Sequence, residues 1–269
     1  MVGQPLGAFL PDTRQPRQLQ RHAGDDEESK KQIHEVKSEN NTLYIKHQDQ
    51  RRWFEKVLNF SYFKRVVTVY LPATSYADAV IKSDTGEVNI PHDFSFNTLN
   101  VKTSTGDSTI KSDVATSTYV ESSTGRISLA DLSTKELSLK ASTSDIYLES
   151  VKVEKDVVVN TSTGNIKTNA LTAENFTSHC STGKVQLANT LISNKIDIDT
   201  STGDVKFQDS DADSLHIETS TGDVKGTFLT SKIFYVQSKS GKINVPVSST
   251  GGICEVKTST GDIVLSIKA

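Results

Sequence analysis

A repeat constrains this chain more than any other feature. Between Ser83 and Ile263 a variant of Ser/Thr-x-Thr-Gly-x-Val recurs ten times at a spacing of 19 or 20 residues. The glycines are Gly86, Gly106, Gly125, Gly164, Gly183, Gly203, Gly222, Gly241 and Gly261, and Ser144 fills the remaining slot. A fixed period of this length marks a solenoid, in which each repeat is one rung that buries its apolar side against its neighbours. With the turn glycine numbered zero, position −5 is apolar in nearly every rung (Ile81, Val101, Val120, Leu139, Val159, Ile198, Ile217, Val236, Val256), and so is +2 (Val88, Ile127, Ile146, Ile166, Val185, Val205, Val224, Ile243, Ile263). Polar residues such as Lys102, Lys140 and Asp199 stand between them at −4. This alternation describes strands with one face buried and one face wet. The sequence therefore predicts an all-β, single-domain parallel β-solenoid of about ten rungs, roughly 48 Å long at ~4.8 Å per rung.

The alternation has to break near the glycine. Taking −1 and +2 both as inward places the corner at the glycine itself, where a residue free to adopt φ > 0 fits best. On that reading Ser144 sits in a glycine's conformation, and Ser144→Gly is expected to stabilise by roughly 1 kcal/mol; a melting temperature that stays put or falls contradicts it. A looser third side, such as Gln208 to Ser214, completes each rung. The threonines at −3 and −1, as in Thr200/Thr202 and Thr219/Thr221, resemble the Thr-x-Thr ranks of β-solenoid antifreeze proteins. Inward parity at both positions argues against an ice-binding face here.

An apolar content of 35% is thin for a central core but suits a narrow interior. A net charge of −3 offers no clustered positive surface for nucleic acid. No apolar stretch approaches the roughly 20 residues needed to span a bilayer, and Met1–Gly24 lacks the apolar segment of a signal peptide. Position +1 is often acidic (Glu87, Asp107, Asp145, Asp204, Asp223, Asp262), but Arg126, Lys184 and Lys242 interrupt the row. Solvated turn residues fit this better than calcium ligands. None of the six histidines stands at ligand spacing from another His or Cys, and no Ser-His-Asp order, phosphate loop or dinucleotide fingerprint occurs. Catalytic residues, metal ligands and cofactors are therefore not expected. Cys180 and Cys254, four rungs apart in sequence, would lie about 19 Å from each other, beyond the ~7 Å reach of a disulfide, and are expected as buried free thiols.

Residues 1–40 are polar and carry an acidic run at Asp25–Glu28, a composition expected to be mobile or marginally ordered. Residues 41–72 hold two predicted strands, Thr42–Lys46 and Val66–Leu71, with an aromatic cluster between them: Trp53, Phe54, Phe60, Tyr62 and Phe63. A solenoid needs its ends closed, so these aromatics are expected to cap the array that follows over 73–269. Flanked by Arg51, Arg52, Lys56, Lys64 and Arg65, they would alternatively form a docking surface for a membrane or a partner. At the far end Ile263, Leu265 and Ile267 keep the strand pattern to within two residues of Ala269. The tenth rung is thus expected to be the open end and the place of any self-association.

The "TVYLP" strand (Thr68–Pro72), the opening "SDTGEVNIP" rung (Ser83–Pro91) and the serial "TSTGDV" rungs together resemble the DUF4097 family, over roughly Glu35 to Ala269. The resemblance implies a bacterial β-solenoid domain, often found behind a transmembrane helix or at the cell surface and carrying an adhesin label. It implies no catalytic residues. The function expected is a non-enzymatic, adhesin-like or envelope-associated scaffold module that presents polar faces to a protein, glycan or surface partner. The alternative is a polymer that stacks through uncapped ends, as bactofilins do. A β-helix polysaccharide lyase would need Asp, Arg and Lys clustered in one groove, whereas the charges here are scattered.

Overall fold

The computed structural model describes residues 19–22, 32–40, 42–49, 66–72 and 74–268. The chain divides into two compact units, Met1–Pro72 and Ala73–Ala269. In the first, Gln32–Glu39 and Thr42–Asp49 form an antiparallel hairpin, with Asn40 at φ 49° in the turn, and Leu19–His22 pairs antiparallel with Val66–Val69. The cap aromatics Trp53, Phe54, Phe60, Tyr62 and Phe63 lie outside the described residues.

The second unit is the parallel β-solenoid. Each rung contributes a leading strand before its turn and a trailing strand after it. The leading strands build an eleven-stranded sheet and the trailing strands a ten-stranded one. Register is kept along the stack: Ile127, Ile146, Ile166, Val185, Val205 and Val224 stand side by side. These residues, with Val101, Val120, Leu139, Val159, Ile198 and Ile217, are fully buried and form a single apolar core. The third side is less loose than expected. Leu132, Val151 and Leu171 at +7 and Val153, Ala173 and Ile192 at +9 face inward and close the core.

Burial corrects the parity assigned to the corner. Thr103, Thr161, Thr200, Thr219 and Thr258 at −3 are buried, whereas Thr105, Thr163, Thr202, Thr221 and Thr260 at −1 are exposed. Inward positions therefore run −7, −5, −3, 0, +2, +4, and two consecutive outward residues, −2 and −1, make the corner. Two of the inward hydroxyls bond the stack, Thr219 Oγ1 donating to the Gly203 carbonyl at 3.3 Å and Thr258 Oγ1 to that of Gly222 at 3.2 Å, while those of Thr161 and Thr200 are buried without a partner. The parity ground against an ice-binding face thus holds for −3 alone. What faces outward is one threonine file on a corner beside serine, not two ranks on a flat sheet.

The need for glycine at the turn is also different from the one anticipated. A Cβ on Gly203 would lie 1.8 Å from the Gly183 carbonyl oxygen, and most of the other turn glycines meet the carbonyl of the adjacent rung at about the same distance. Close rung-to-rung approach, more than φ, empties the site of side chain. Ser144 does not adopt positive φ, so the conformational ground for Ser144→Gly falls. The expected sign survives because the Ser144 hydroxyl is buried without a hydrogen-bond partner, a burial cost that glycine removes.

Left-handed residues occur instead at +6, the second corner: Asp131, Ser150, Ala170, Asn189 and Asp209 have φ between 47° and 54°. Asn and Asp tolerate this region, whereas alanine does not gain from it. Ala170→Gly is expected to stabilise by about 1 kcal/mol, read as a raised denaturant midpoint at unchanged m.

The largest departure concerns order. The ninth rung consists of Lys232–Ser240 and Ile243–Asn244, and the tenth of Gly252–Thr260 and Ile263–Ile267. The tenth does not follow the ninth in space. It lies between the eighth (Ser214–Thr221, Val224–Phe228) and the ninth, pairing Ile217 with Val256 on one side and Val236 with Val256 on the other. The trailing strands repeat the order, with Ile263 between Val224 and Ile243. The expectation that the tenth rung forms the open end is therefore wrong. The end is the ninth, whose trailing strand stops at Asn244 ahead of Pro246, and whose Ile243 is 46% exposed where other rungs bury that position. Pro246 offers no N–H to extend the ladder, and Gly251 at φ 109° turns the chain back into the slot. Cys254 is consequently three strands from Cys180 rather than four, and both are buried free cysteines. Burial pushes the Cys254 thiol up to about 12. At the opposite end Tyr76, Phe94 and Phe96 pack with ring centroids 6.1–6.4 Å apart, an aromatic cluster within the array itself.

Candidate interaction surface

The repeated carboxylates at +1 act on the fold rather than on solvent. Asp107, Asp145, Asp204, Asp223 and Asp262 project along the stack and accept a hydrogen bond from the backbone N–H of the same position in the adjacent rung. Asp107 Oδ1 takes Arg126 N–H at 2.8 Å, Asp145 takes Asn165 at 2.7 Å, Asp204 takes Asp223 at 3.2 Å, and Asp223 takes Asp262 at 2.8 Å. Asn165 does the same for Lys184 at 3.0 Å, which explains why Asn is admitted to the column. Among the described residues, no group of three or more His, Cys, Asp or Glu is placed to hold a metal ion.

The ladder sets carboxylate pKa values. Asp204 is held below the usual range by its hydrogen bond from Lys184, then by the Asp223 backbone N–H; Asp223 is held low by Lys225 and then by Asp262 N–H. Burial pulls Asp145 upward, but bonds from Asn165 and the Tyr147 hydroxyl outweigh it and leave it lowered. Folded pKa values below the unfolded ones mean stability that is present above about pH 4 and lost as pH falls through the folded values. The melting temperature is expected to be level from pH 7 to 5 and to drop below about 4. Asp223→Asn, which keeps the acceptor oxygen, is expected to make that drop shallower.

The variable residues lie on the two sheet faces. On the leading-strand face Glu121 gathers Lys102 at 2.9 Å, Lys140 at 3.7 Å and the Tyr119 hydroxyl at 2.9 Å. His179 faces Asp199 at 3.1 Å, and His216 faces Glu255 at 3.2 Å. The trailing-strand face carries a groove of about 300 Å³ that runs along the stack from Tyr147 to Lys206. Its head is organised by Tyr147: the Arg126 guanidinium stands 5.6 Å and the Lys167 ammonium 5.4 Å from the ring centroid, and the hydroxyl donates to Asp145 at 2.9 Å. Sequence reasoning missed this groove, because Tyr147, Lys167, Gln186 and Lys206 are about one period apart and converge only once the rungs stack.

One buried charge pair escaped notice for the same reason. Lys232, 2% exposed, reaches Asp211 at 2.5 Å and the Thr230 hydroxyl at 2.6 Å. It begins the ninth rung, yet its partner precedes the eighth. The pair thus spans the inserted rung, at a point where Gly252 supplies no side chain to obstruct it.

Among the described residues, no helix is long and apolar enough to cross a membrane. No curated protein and no solved structure matches the chain. The sequence model of the Toastrack DUF4097 family matches residues 15–158 and 152–269. The stacked parallel rungs and these two matches, which together run through nearly all of the chain, make it a member of the Toastrack DUF4097 family.

Proposed function

We propose that the chain is a non-enzymatic interaction module: a stiff β-solenoid whose outward columns meet a protein, glycan or envelope-surface partner. The observation that carries this reading is the division of labour among its polar groups. The repeated Asp and Asn side chains at +1 are committed to rung-to-rung bonds and the −3 threonines are turned into the core, while the residues that vary between rungs, such as Tyr147, Lys167 and Gln186, face outward. An adhesin-like or envelope-scaffold role is the form of this reading that the family resemblance favours. Size exclusion with multi-angle scattering over a tenfold concentration range is expected to give the mass of one chain throughout.

A second reading, self-assembly through an open end, draws on the ninth rung. Lys232–Ser240 pairs with the tenth rung on one side and, among the described residues, has no strand on the other, and its Tyr235 is 60% exposed. Lys239 and Lys242 on the same rung oppose edge-to-edge pairing. Mass that grows with concentration, and that Ile243→Lys abolishes, would favour this reading over the first.

A further inference from the structure

We propose that the groove on the trailing-strand face binds an extended acidic glycan, a proposal that rests on the interaction-module reading and names its ligand. Two outward columns wall the groove. One carries Tyr147, Lys167, Gln186 and Lys206; the other carries Glu149, Asn169, Ala188 and Gln208, where the Glu149 carboxylate is engaged by the Asn169 amide at 2.7 Å and the small Ala188 opens the depression beside Gln208. Lys167 stands over the Tyr147 ring with no carboxylate at salt-bridge distance, and acts on Asp145 only from further away. Lys206 makes no ion pair or hydrogen bond among the described residues, whereas Lys184 and Lys225 nearby are bound to Asp204 and Asp223 at 2.9 and 2.6 Å.

Two ammonium groups thus stand two rungs apart on one wall, about 10 Å at the strand spacing. Gln186 lies between them, and both it and Gln208 make no side-chain hydrogen bond among the described residues. Ammonium groups attract carboxylates, and amides that both donate and accept suit hydroxyls. A polyuronate chain that turns successive units to opposite sides presents every second carboxylate, with hydroxyls between, to one wall along the axis. An acidic peptide would find the charges but no side-chain pocket, since Leu148 and Leu187 in the floor are buried, 2% and 1% exposed.

The full chain should be titrated calorimetrically at low salt with an oligogalacturonate, with a dextran of equal length, and with polyglutamate. Binding of the oligogalacturonate alone is expected, weakening with added salt. Lys167→Gln with Lys206→Gln is expected to reduce affinity about tenfold at unchanged melting temperature, and the paired Lys→Arg variant to retain it. Preference for dextran or polyglutamate, or equal loss from Lys82→Gln with Lys140→Gln on the other face, overturns the assignment. Silence toward all three also overturns it, while a single-chain mass in the scattering measurement would leave the module reading in place.

Discussion

Gly203→Ala is expected to destabilise the solenoid by about 3 kcal/mol, the upper end of what one added methyl costs in a packed interior. The new Cβ would lie 1.8 Å from the Gly183 carbonyl oxygen and 2.6 Å from its carbon. Those are backbone atoms, so no rotamer change relieves the contact. Nor can the rungs slide apart cheaply, because Gly183 N–H donates to Thr202, Gly203 N–H to Thr221 and Val185 N–H to Asp204, each at 2.9–3.0 Å. Relief must stretch hydrogen bonds on both sides of the turn. Thr202→Ala, at the exposed neighbouring position, is the internal control and is expected to change stability by no more than about 0.5 kcal/mol. Urea unfolding of the two variants decides the matter. Equal, small effects would mean that the glycine column reflects turn preference and not steric exclusion.

Lys232→Met is expected to cost 3–5 kcal/mol, roughly the penalty for leaving one member of a buried ion pair uncompensated. The Asp211 side chain is only 13% exposed, and its second oxygen already has no partner. Removing the ammonium leaves that largely enclosed carboxylate with no countercharge and only the Ala212 N–H, at 2.8 Å, as a donor. The double variant Lys232→Met with Asp211→Leu is expected to recover most of the loss, because two apolar groups need no partner. The consequence is local as well as global. Lys232 ties the start of the ninth rung across the tenth, so its loss should release the ninth rung first, seen as faster amide exchange at Val236 than at Val120. Loss confined to the global transition, with both sites exchanging together, would remove the locking role from this pair.

Much of the architecture could be read from residues because a rung repeats its chemistry. The −5 and +2 columns found the core, and the glycine spacing found the turns. Three things could not be read. The inward or outward sense of Thr202 depended on where the alternation breaks, and the glycine directly after the true break drew the corner to itself. The groove at Lys167 and Lys206 is assembled from residues about 40 positions apart and carries no local motif. The place of the last rung was invisible to periodicity, since Gly241 and Gly261 are 20 residues apart like any neighbours. A signal was nevertheless present. The ninth rung reads Ser238-Lys239-Ser240-Gly241-Lys242, while the tenth keeps the interior form Thr258-Ser259-Thr260-Gly261-Asp262. Terminal repeats are the atypical ones, so the departure marked the ninth as the end.

The order eight, ten, nine underlies the lock at Lys232, the identity of the open end and the fate of the C-terminal strands. Disulfide trapping tests it most directly, using the outward −4 positions Glu218, Lys257 and Gln237, which share one register. Neighbouring rungs place such residues about 4.8 Å apart at Cα, within reach of a disulfide, and a rung further doubles that to beyond the ~7 Å limit. Glu218→Cys with Lys257→Cys is expected to cross-link on mild oxidation, and Glu218→Cys with Gln237→Cys to remain reduced. Cross-linking of the second pair and not the first would put the rungs in sequence order and contradict the account.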